Sequence, residues 1–378
     1  MTAVGTILAL GSGAAFAGGI ERAPQSLGIL FEEGNYAELS FGGASPSVSG
    51  RDVLGYETGN VASGYGFFGL AYKHQFNQNL SGAFIIEQPF GADLNYATVA
   101  NGGSVMLGGT AVTVDSTTYT ALLRYKFDNN FSVHGGIRGS RASGNVTLNG
   151  CAYSSPLAPV PCTGGVMGYN VDTDTSWGMG WVAGVAYEIP DIAARISLTY
   201  NSPIEHDFDT KESINGMPLG PDTETTVKTP RSWTLEGQTG IAADTLLFGS
   251  IRWVNWSEFR VDPPIFVGFV PTGLVELEDT TTYTIGVGRK FTDNWSGSAS
   301  FTYEPTGNDL VSPLAPTNGR KSITLAAIYT MDNIKITTGI NYTKLGNAKP
   351  ETGTPDVQRA SMRDNDLWGA GVKIGYSF

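Results

Sequence analysis

The sequence predicts an all-β chain, an antiparallel transmembrane β-barrel of about fourteen strands with a short N-terminal plug, on three observations. The last strand alternates Trp368, Ala370, Val372, Ile374, Tyr376 and Phe378 with Gly369, Gly371, Lys373, Gly375 and Ser377. Successive side chains of a strand point to opposite faces, so one face meets an apolar medium and the other carries small or polar residues. The second observation is rhythm. Tight Asn/Asp turns at 76–79, 127–130, 189–191, 243–244, 291–294 and 331–333 alternate with long loops at 91–116, 148–175, 211–225, 259–281 and 307–319. Short turns on one side and long loops on the other mark outer-membrane barrels, with the short side periplasmic. The third is composition: 378 residues with 50 Gly, 41% hydrophobic residues and 15% charged. Beyond the N-terminal segment no apolar run is long enough for a transmembrane helix, and only a closed barrel carries a sheet through lipid without unpaired backbone groups.

Residues 1–17 read as a secretory signal ending in Ala15-Phe16-Ala17, a cleavage-like site. No Lys or Arg precedes the apolar part, which means either a start placed too late or a buried N-terminal helix; the cleavage-like site favours the first. Residues 18–34 carry Ile20, Leu27, Ile29, Leu30 and Phe31 around Glu21 and Arg22. This stretch is too short for a strand pair and apolar enough to fold back as a hatch, with Leu30 and Phe31 as an apolar floor for a ligand. The barrel then occupies 35–378. Its strands are placed at 36–47, 64–76, 80–90, 117–127, 131–147, 176–189, 193–208, 226–241, 245–259, 282–291, 295–304, 322–331, 334–345 and 366–378. Phe76, Phe127, Phe131, Phe291, Trp295, Tyr329 and Phe378 sit beside the short turns, as an interfacial girdle requires.

Parity assigns the faces. With Tyr119, Leu123, Tyr125 and Phe127 toward lipid, Arg124 and Lys126 turn inward; with Phe131, Val133 and Ile137 outward, His134 and Arg138 turn inward. Arg195, Lys335 and Lys373 also fall inside, giving a partly cationic lumen. Such charges either pair with Asp or Glu or receive an anionic head group. Glu87-Gln88-Pro89-Phe90-Gly91 breaks the third strand with a residue that cannot donate to the ladder. It is either a kink that opens the wall or the strand's end, with a loop beginning at Gly91. Cys151 and Cys162 flank a Pro/Ser-rich loop and fit a disulfide in an exported protein. His74, His134 and His206 are scattered, so neither metal nor cofactor is expected. A net charge of -12 without a basic cluster excludes nucleic acid as a partner and fits acidic outer loops.

Over most of the mature chain in order, and most specifically from Pro230 onward, the chain resembles the FadL/TodX outer-membrane hydrocarbon transporters. The likeness runs through Pro230-Arg231-Ser232-Trp233, Trp253-Val254-Asn255-Trp256-Ser257-Glu258-Phe259, Thr282-Tyr283-Thr284-Ile285-Gly286-Val287-Gly288, Asp293-Asn294-Trp295-Ser296 and Tyr303-Glu304-Pro305. It implies fourteen strands, an N-terminal hatch and passage of long-chain fatty acids or other hydrophobic compounds. It also implies capture by apolar outer loops, a deeper pocket, and sideways exit at a kink in the third strand, where Pro89, Phe90 and Gly91 stand. Arg141 resembles a carboxylate-binding Arg of the family, whereas strict parity puts Arg138 inward. The chain departs from the family in its short hatch, with Ser26-Leu27-Gly28-Ile29-Leu30-Phe31-Glu32 in place of the usual Asn-Pro-Ala stretch, and in the cysteine-bearing loop. Pro264 to Val270, with Phe266 and Phe269, offers an exposed apolar stretch in another loop.

These features favour a passive channel for a hydrophobic small molecule, monomeric, in the lipid of a Gram-negative outer membrane. A general aqueous porin needs an open polar lumen, which the apolar plug opposes, and a carrier of uncharged hydrocarbons needs no lumen cation. A lipase lacks support, because no Gly-x-Ser-x-Gly occurs and no His lies near a convincing Ser/Asp set. An adhesin leaves kink and plug unexplained.

Overall fold

Asn130, Asp244 and Asp332 stand at φ of 67°, 56° and 49° in the short connections. Asn and Asp tolerate this left-handed region, so each closes a hairpin tightly. The computed structural model describes residues 20–22 and 25–378. The expected leader, 1–17, lies outside the described residues, as do 18–19 and 23–24 of the expected hatch.

Fourteen spans form one closed antiparallel barrel. They are β1 Tyr36–Ser47, β2 Tyr65–Gln75, β3 Leu80–Glu87 resuming at Gly91–Asn95, β4 Ala111–Lys126, β5 Phe131–Leu148, β6 Tyr169–Ile189, and β7 Ala194–Asn201 resuming at Ile204–Ile214. Then follow β8 Thr223–Thr229 resuming at Ser232–Ala242, β9 Thr245–Val254, β10 Thr280–Lys290, β11 Trp295–Glu304, β12 Arg320–Met331, β13 Ile334–Leu345 and β14 Asp366–Ser377. Closure joins β1 to β14, from Tyr36 opposite Ser377 to Ser47 opposite Asp366, while β1 also pairs with β2. No backbone edge of this seam is left to lipid.

The alternation holds. Leu123, Tyr125, Phe127 and Ile137 face outward, whereas Arg124, His134, Arg138, Arg195 and Lys373 are buried inside. Outward aromatics mark the upper boundary too: Trp181, Tyr200 and Trp233 lie on adjacent strands with ring centroids 5.0 and 4.7 Å apart. Above this row β7 and β8 step at Ser202-Pro203 and Pro230-Arg231, and their outward residues change from apolar to charged. Glu205, Asp207, Asp209 and Glu224, with Asp172 and Asp174 on β6, are all exposed there.

Several strands run further outward than the sequence suggests. The loops expected at 91–116 and 148–175 shrink, because β3 resumes at Gly91, β4 begins at Ala111 and β6 begins at Tyr169. The extensions keep their ladder bonds above the membrane, and their inner side chains find apolar cover: Ala92, Leu94, Val112, Val146 and Val171 join a core built by the outer loops. Cys151 and Cys162 are disulfide-bonded in one of those loops.

Candidate functional site

The lumen is layered. At its periplasmic end Leu27, Ile29 and Leu30 pack against Tyr36, Ala71, Ala83, Ile85, Leu122 and Val182. The short turn at Gly28–Phe31 buries Ile29 and Leu30 among these inward residues. Phe31 lies between two guanidinium groups, Arg124 at 4.5 Å and Arg195 at 4.0 Å from its ring centre, each in cation–π geometry. Arg124 also bonds the Leu30 carbonyl at 3.1 Å and pairs with Glu188. Lys335 holds Glu32 at 2.8 Å. Leu30 and Phe31 are thus held to the inner face of the wall by packing, a hydrogen bond and cation–π contacts.

The middle layer is charged. Arg252 on β9 pairs with Glu21 and donates to Ser232 Oγ at 2.9 Å and Thr234 Oγ1 at 3.2 Å. Arg138 on β5 is 2% exposed, and its Nη2 has no hydrogen-bond partner among the described residues. Glu87, Glu21 and Arg252 are its charged neighbours. Arg141 lies elsewhere. It is exposed on the outer face, opposite Thr117 and Trp177 in the ladders. The two candidate arginines are therefore on opposite sides of the wall, as three residues' spacing along a strand dictates.

The top layer is apolar. Phe90 is buried edge-on against Trp256, with centroids 6.1 Å apart. Phe266 is buried too, 4.7 Å from the Tyr169 ring, whereas Phe269 is 63% exposed. The stretch expected to be exposed from Pro264 to Val270 is therefore only partly so. Glu212 explains it: its carboxylate accepts from Ile265 N at 3.0 Å and Phe266 N at 2.7 Å, pulling the helical turn α1 Pro264–Val267 onto the loop core. Nearby, Asp52 anchors a second loop. Burial alone would raise its carboxyl, but bonds from Ser104, Met106, Tyr56 and Leu54 hold it below the usual carboxylate value.

Pro89 and Gly91 lie at a break in the wall. Glu87 faces Thr118 and Gly91 faces Asp115, so three residues on β3 stand against two on β4. The extra residue makes a bulge, which bends β3 locally. Below the break β3 pairs with β2 only from Leu70 to Gln75, leaving residues 65–69 of β2 without a ladder on that side. Above it, Ser63 N reaches Asp93 O at 3.0 Å and Asn95 N reaches Val61 O at 2.8 Å. A gap in the backbone ladder is left between, crossed by Phe68 N donating to Gln88 Oε1 at 3.2 Å. Its inner strand is covered by the N-terminal segment: Arg22 N donates to Pro89 O and Gly91 N to Ile20 O, both at 2.8 Å. Sequence patterning missed this pairing, because a single bridge carries no period.

The chain matches the family model described as "Outer membrane protein transport protein (OMPP1/FadL/TodX)" over residues 43–378. It belongs to this family. Among solved structures, a FadL homologue from Pseudomonas aeruginosa is similar, with a TM-score of 0.73, 16% identity, and coverage of 93% of this chain and 92% of that one. The toluene transporter TodX of P. putida gives 0.64 and 14%, covering 92% and 91%. The toluene transporter TbuX of Ralstonia pickettii gives 0.63 and 14%, covering 92% and 90%. At such identities the likeness shows the fold. Curated protein sequences give no match. As a FadL/TodX-family barrel the protein is an outer-membrane transporter of hydrophobic compounds, a channel and not an enzyme.

Proposed function

We propose that the cargo is a long-chain hydrophobic acid, carried passively and released sideways through the wall. Cargo partitions onto apolar side chains of the outer loops, Phe269 among them, and passes the layer of Phe90 and Phe266. It then lies above the floor of Leu30 and Phe31 with its carboxylate beside Arg138. Exit is through the window at Pro89–Gly91, between β2 and β3, into the bilayer. No bond is made or broken, so apolar partitioning drives the whole passage.

The observation that carries this reading is the interrupted ladder along residues 65–69 of β2. A lipid-embedded sheet keeps its backbone bonds unless a function needs the gap. A buried guanidinium with an unbonded nitrogen favours an anionic ligand group over a neutral one. The test is oleate uptake by cells lacking their own fatty acid transporter, with surface expression measured alongside. Uptake is expected to rise with expression. Deleting Pro89 restores one-to-one pairing between 87–91 and 115–118, and is expected to stop uptake while leaving a folded barrel. Wild-type uptake by that folded variant removes lateral exit. Failure of the folded wild type to carry oleate moves the cargo to uncharged hydrocarbons, or the channel to an aqueous porin.

A further inference from the structure

Arg141 has no part in the cargo path. It follows Ile137 and Gly139 on the lipid-facing parity of β5 and lies opposite Thr117 on β4 and Trp177 on β6. Its place is ten positions from Phe131, where β5 begins on the periplasmic side. At about 3.3 Å a residue and a strand tilt of about 40°, that is roughly 25 Å of height, the thickness of the apolar band of such barrels. Outward cations on β7 and β8 are neutralised: Lys211 by Asp174 at 3.6 Å, Lys228 by Glu205 at 2.6 Å and Arg231 by Glu258. Arg141 makes neither an ion pair nor a side-chain hydrogen bond among the described residues. The wall around it is shaped for chains. Tyr119 and Trp177 stack with centroids 5.7 Å apart beside Gly139, where a Cβ would meet the Trp177 ring at 4.0 Å. Lower on the same face Ala183, Trp181, Tyr200, Trp233 and Trp253 line an outer groove of about 720 Å³. Gly135, opposite Ala183, extends the low surface to β5.

We propose that this face holds one phosphorylated, multiply acylated lipid of the outer leaflet. A phosphate lies on Arg141, and the acyl chains cross Gly135 and Ala183 against the Trp181 and Trp233 rings. A guanidinium at the edge of hydrocarbon is costly unless an anion meets it, and its planar fork matches a phosphate bidentately. The wall supplies no such anion. Asp172 and Asp174 stand farther out on β6 than Trp177 and repel anions arriving through the medium, whereas a lipid reaches Arg141 sideways in the membrane plane. Chains alone would not select the occupant, because lipid tails are as apolar as the wall; the phosphate does. From Gly135 on β5 to Trp253 on β9 the low surface spans four strand spacings, about 19 Å, which is wider than one acyl chain. The site lies on β5 to β9, apart from the break in β3, so it concerns the membrane's own lipid and stands independently of the cargo.

The experiment is native mass spectrometry of the full-length barrel, titrated with diphosphoryl lipid A and separately with digalactosyldiacylglycerol, which has sugars and chains but no phosphate. Folding of each variant is checked by its heat-dependent mobility on a gel. The wild type is expected to retain one lipid A about tenfold or more tightly than the neutral lipid. Arg141→Gln should lose about tenfold in lipid A affinity and leave the neutral lipid unchanged. Arg141→Lys, which keeps the charge without the fork, should fall between the two. Lys321, an outward cation over the Tyr303 ring on β12, serves as the control, and Lys321→Gln should bind as the wild type does. Equal affinity of the wild type for both lipids overturns the proposal, as does undiminished lipid A binding by a folded Arg141→Gln barrel. An equal loss in Lys321→Gln reduces the effect to surface charge at large and overturns the site. A wild type that runs as a dimer and holds no lipid also overturns it, and gives the face to a second copy of the chain.

Discussion

Gly91→Ala tests how residues 20–22 are held against Pro89 and Gly91. Gly91 pairs with Asp115, so a Cβ there would share the outward face of that carboxylate. It would stand 2.3 Å from Arg22 Cζ and 2.6 Å from Nη1. These atoms end a flexible side chain, so the guanidinium leaves and the backbone stays. Two contacts are lost: the Tyr65 ring, 4.8 Å from Arg22 Cζ to its centre, and the Asp115 carboxylate at 3.5 Å. The first is worth about 0.5–2 kcal/mol. The second, with Asp115 largely in solvent, adds about 0–1 kcal/mol. A loss of ~1–2 kcal/mol raises detachment of residues 20–22 roughly 5- to 30-fold, with RT as the conversion. The two backbone bonds and the Glu21–Arg252 pair persist, so the strand remains bound most of the time. Exchange at the Arg22 amide, bonded to Pro89 O, should quicken by that factor while Leu70 to Gln75, held by the intact β2–β3 ladder, stay unchanged. Unaltered Arg22 exchange in a folded variant would refute the idea that the Arg22 side chain helps hold residues 20–22 across the gap.

Two further outcomes follow from the loops. Glu212→Ala removes the acceptor of Ile265 N, Phe266 N and the Tyr169 hydroxyl, at 3.0, 2.7 and 2.8 Å. At about 1 kcal/mol a bond the loop around α1 loses ~3 kcal/mol, and limited proteolysis should cut between 259 and 279 faster than in the wild type; an equal rate contradicts it. Burial, then the charges of Asp356 and Glu276, push the Glu351 carboxyl up from 4.5 to about 7 against the pull of Arg359. A folded value above the unfolded one means that Glu351's contribution is fully present below about 4.5 and is lost as pH rises through about 7. Protease resistance of residues 349–358 should therefore fall over that window in the wild type and stay flat in Glu351→Gln; a flat wild-type profile contradicts the assignment.

Much of the barrel was legible because a strand's period is two. Arg124, Arg138, Arg195 and Lys373 could be sent inward from their neighbours alone, and Asn130, Asp244 and Asp332 announce tight turns by their tolerance of positive φ. The outward extensions of β3, β4 and β6 were not. Above the membrane their outer faces are polar, and their inner faces pack on loops far away in sequence, so alternation stops distinguishing strand from loop there. Phe266 reads as an exposed apolar residue until Glu212, distant in the chain, is seen to fasten the backbone beside it. The charged layer was half legible: Arg138 follows from parity, but Arg252's partner lies in a segment whose path no local pattern sets.

The acidic shelf above the aromatic row bears on how cargo arrives. Asp172, Asp174, Glu205, Asp207, Asp209 and Glu224 present one sign of charge to the medium beside the channel mouth, against Lys211 and Lys228. An anionic amphiphile approaches uphill in that field, so its capture falls to dispersion and partitioning on side chains such as Phe269. Added salt shortens the reach of the repulsion, to about 8 Å at physiological ionic strength. The arrival rate of an acid should consequently climb with ionic strength, opposite to electrostatic steering, while a neutral hydrocarbon of equal length arrives at a rate indifferent to it.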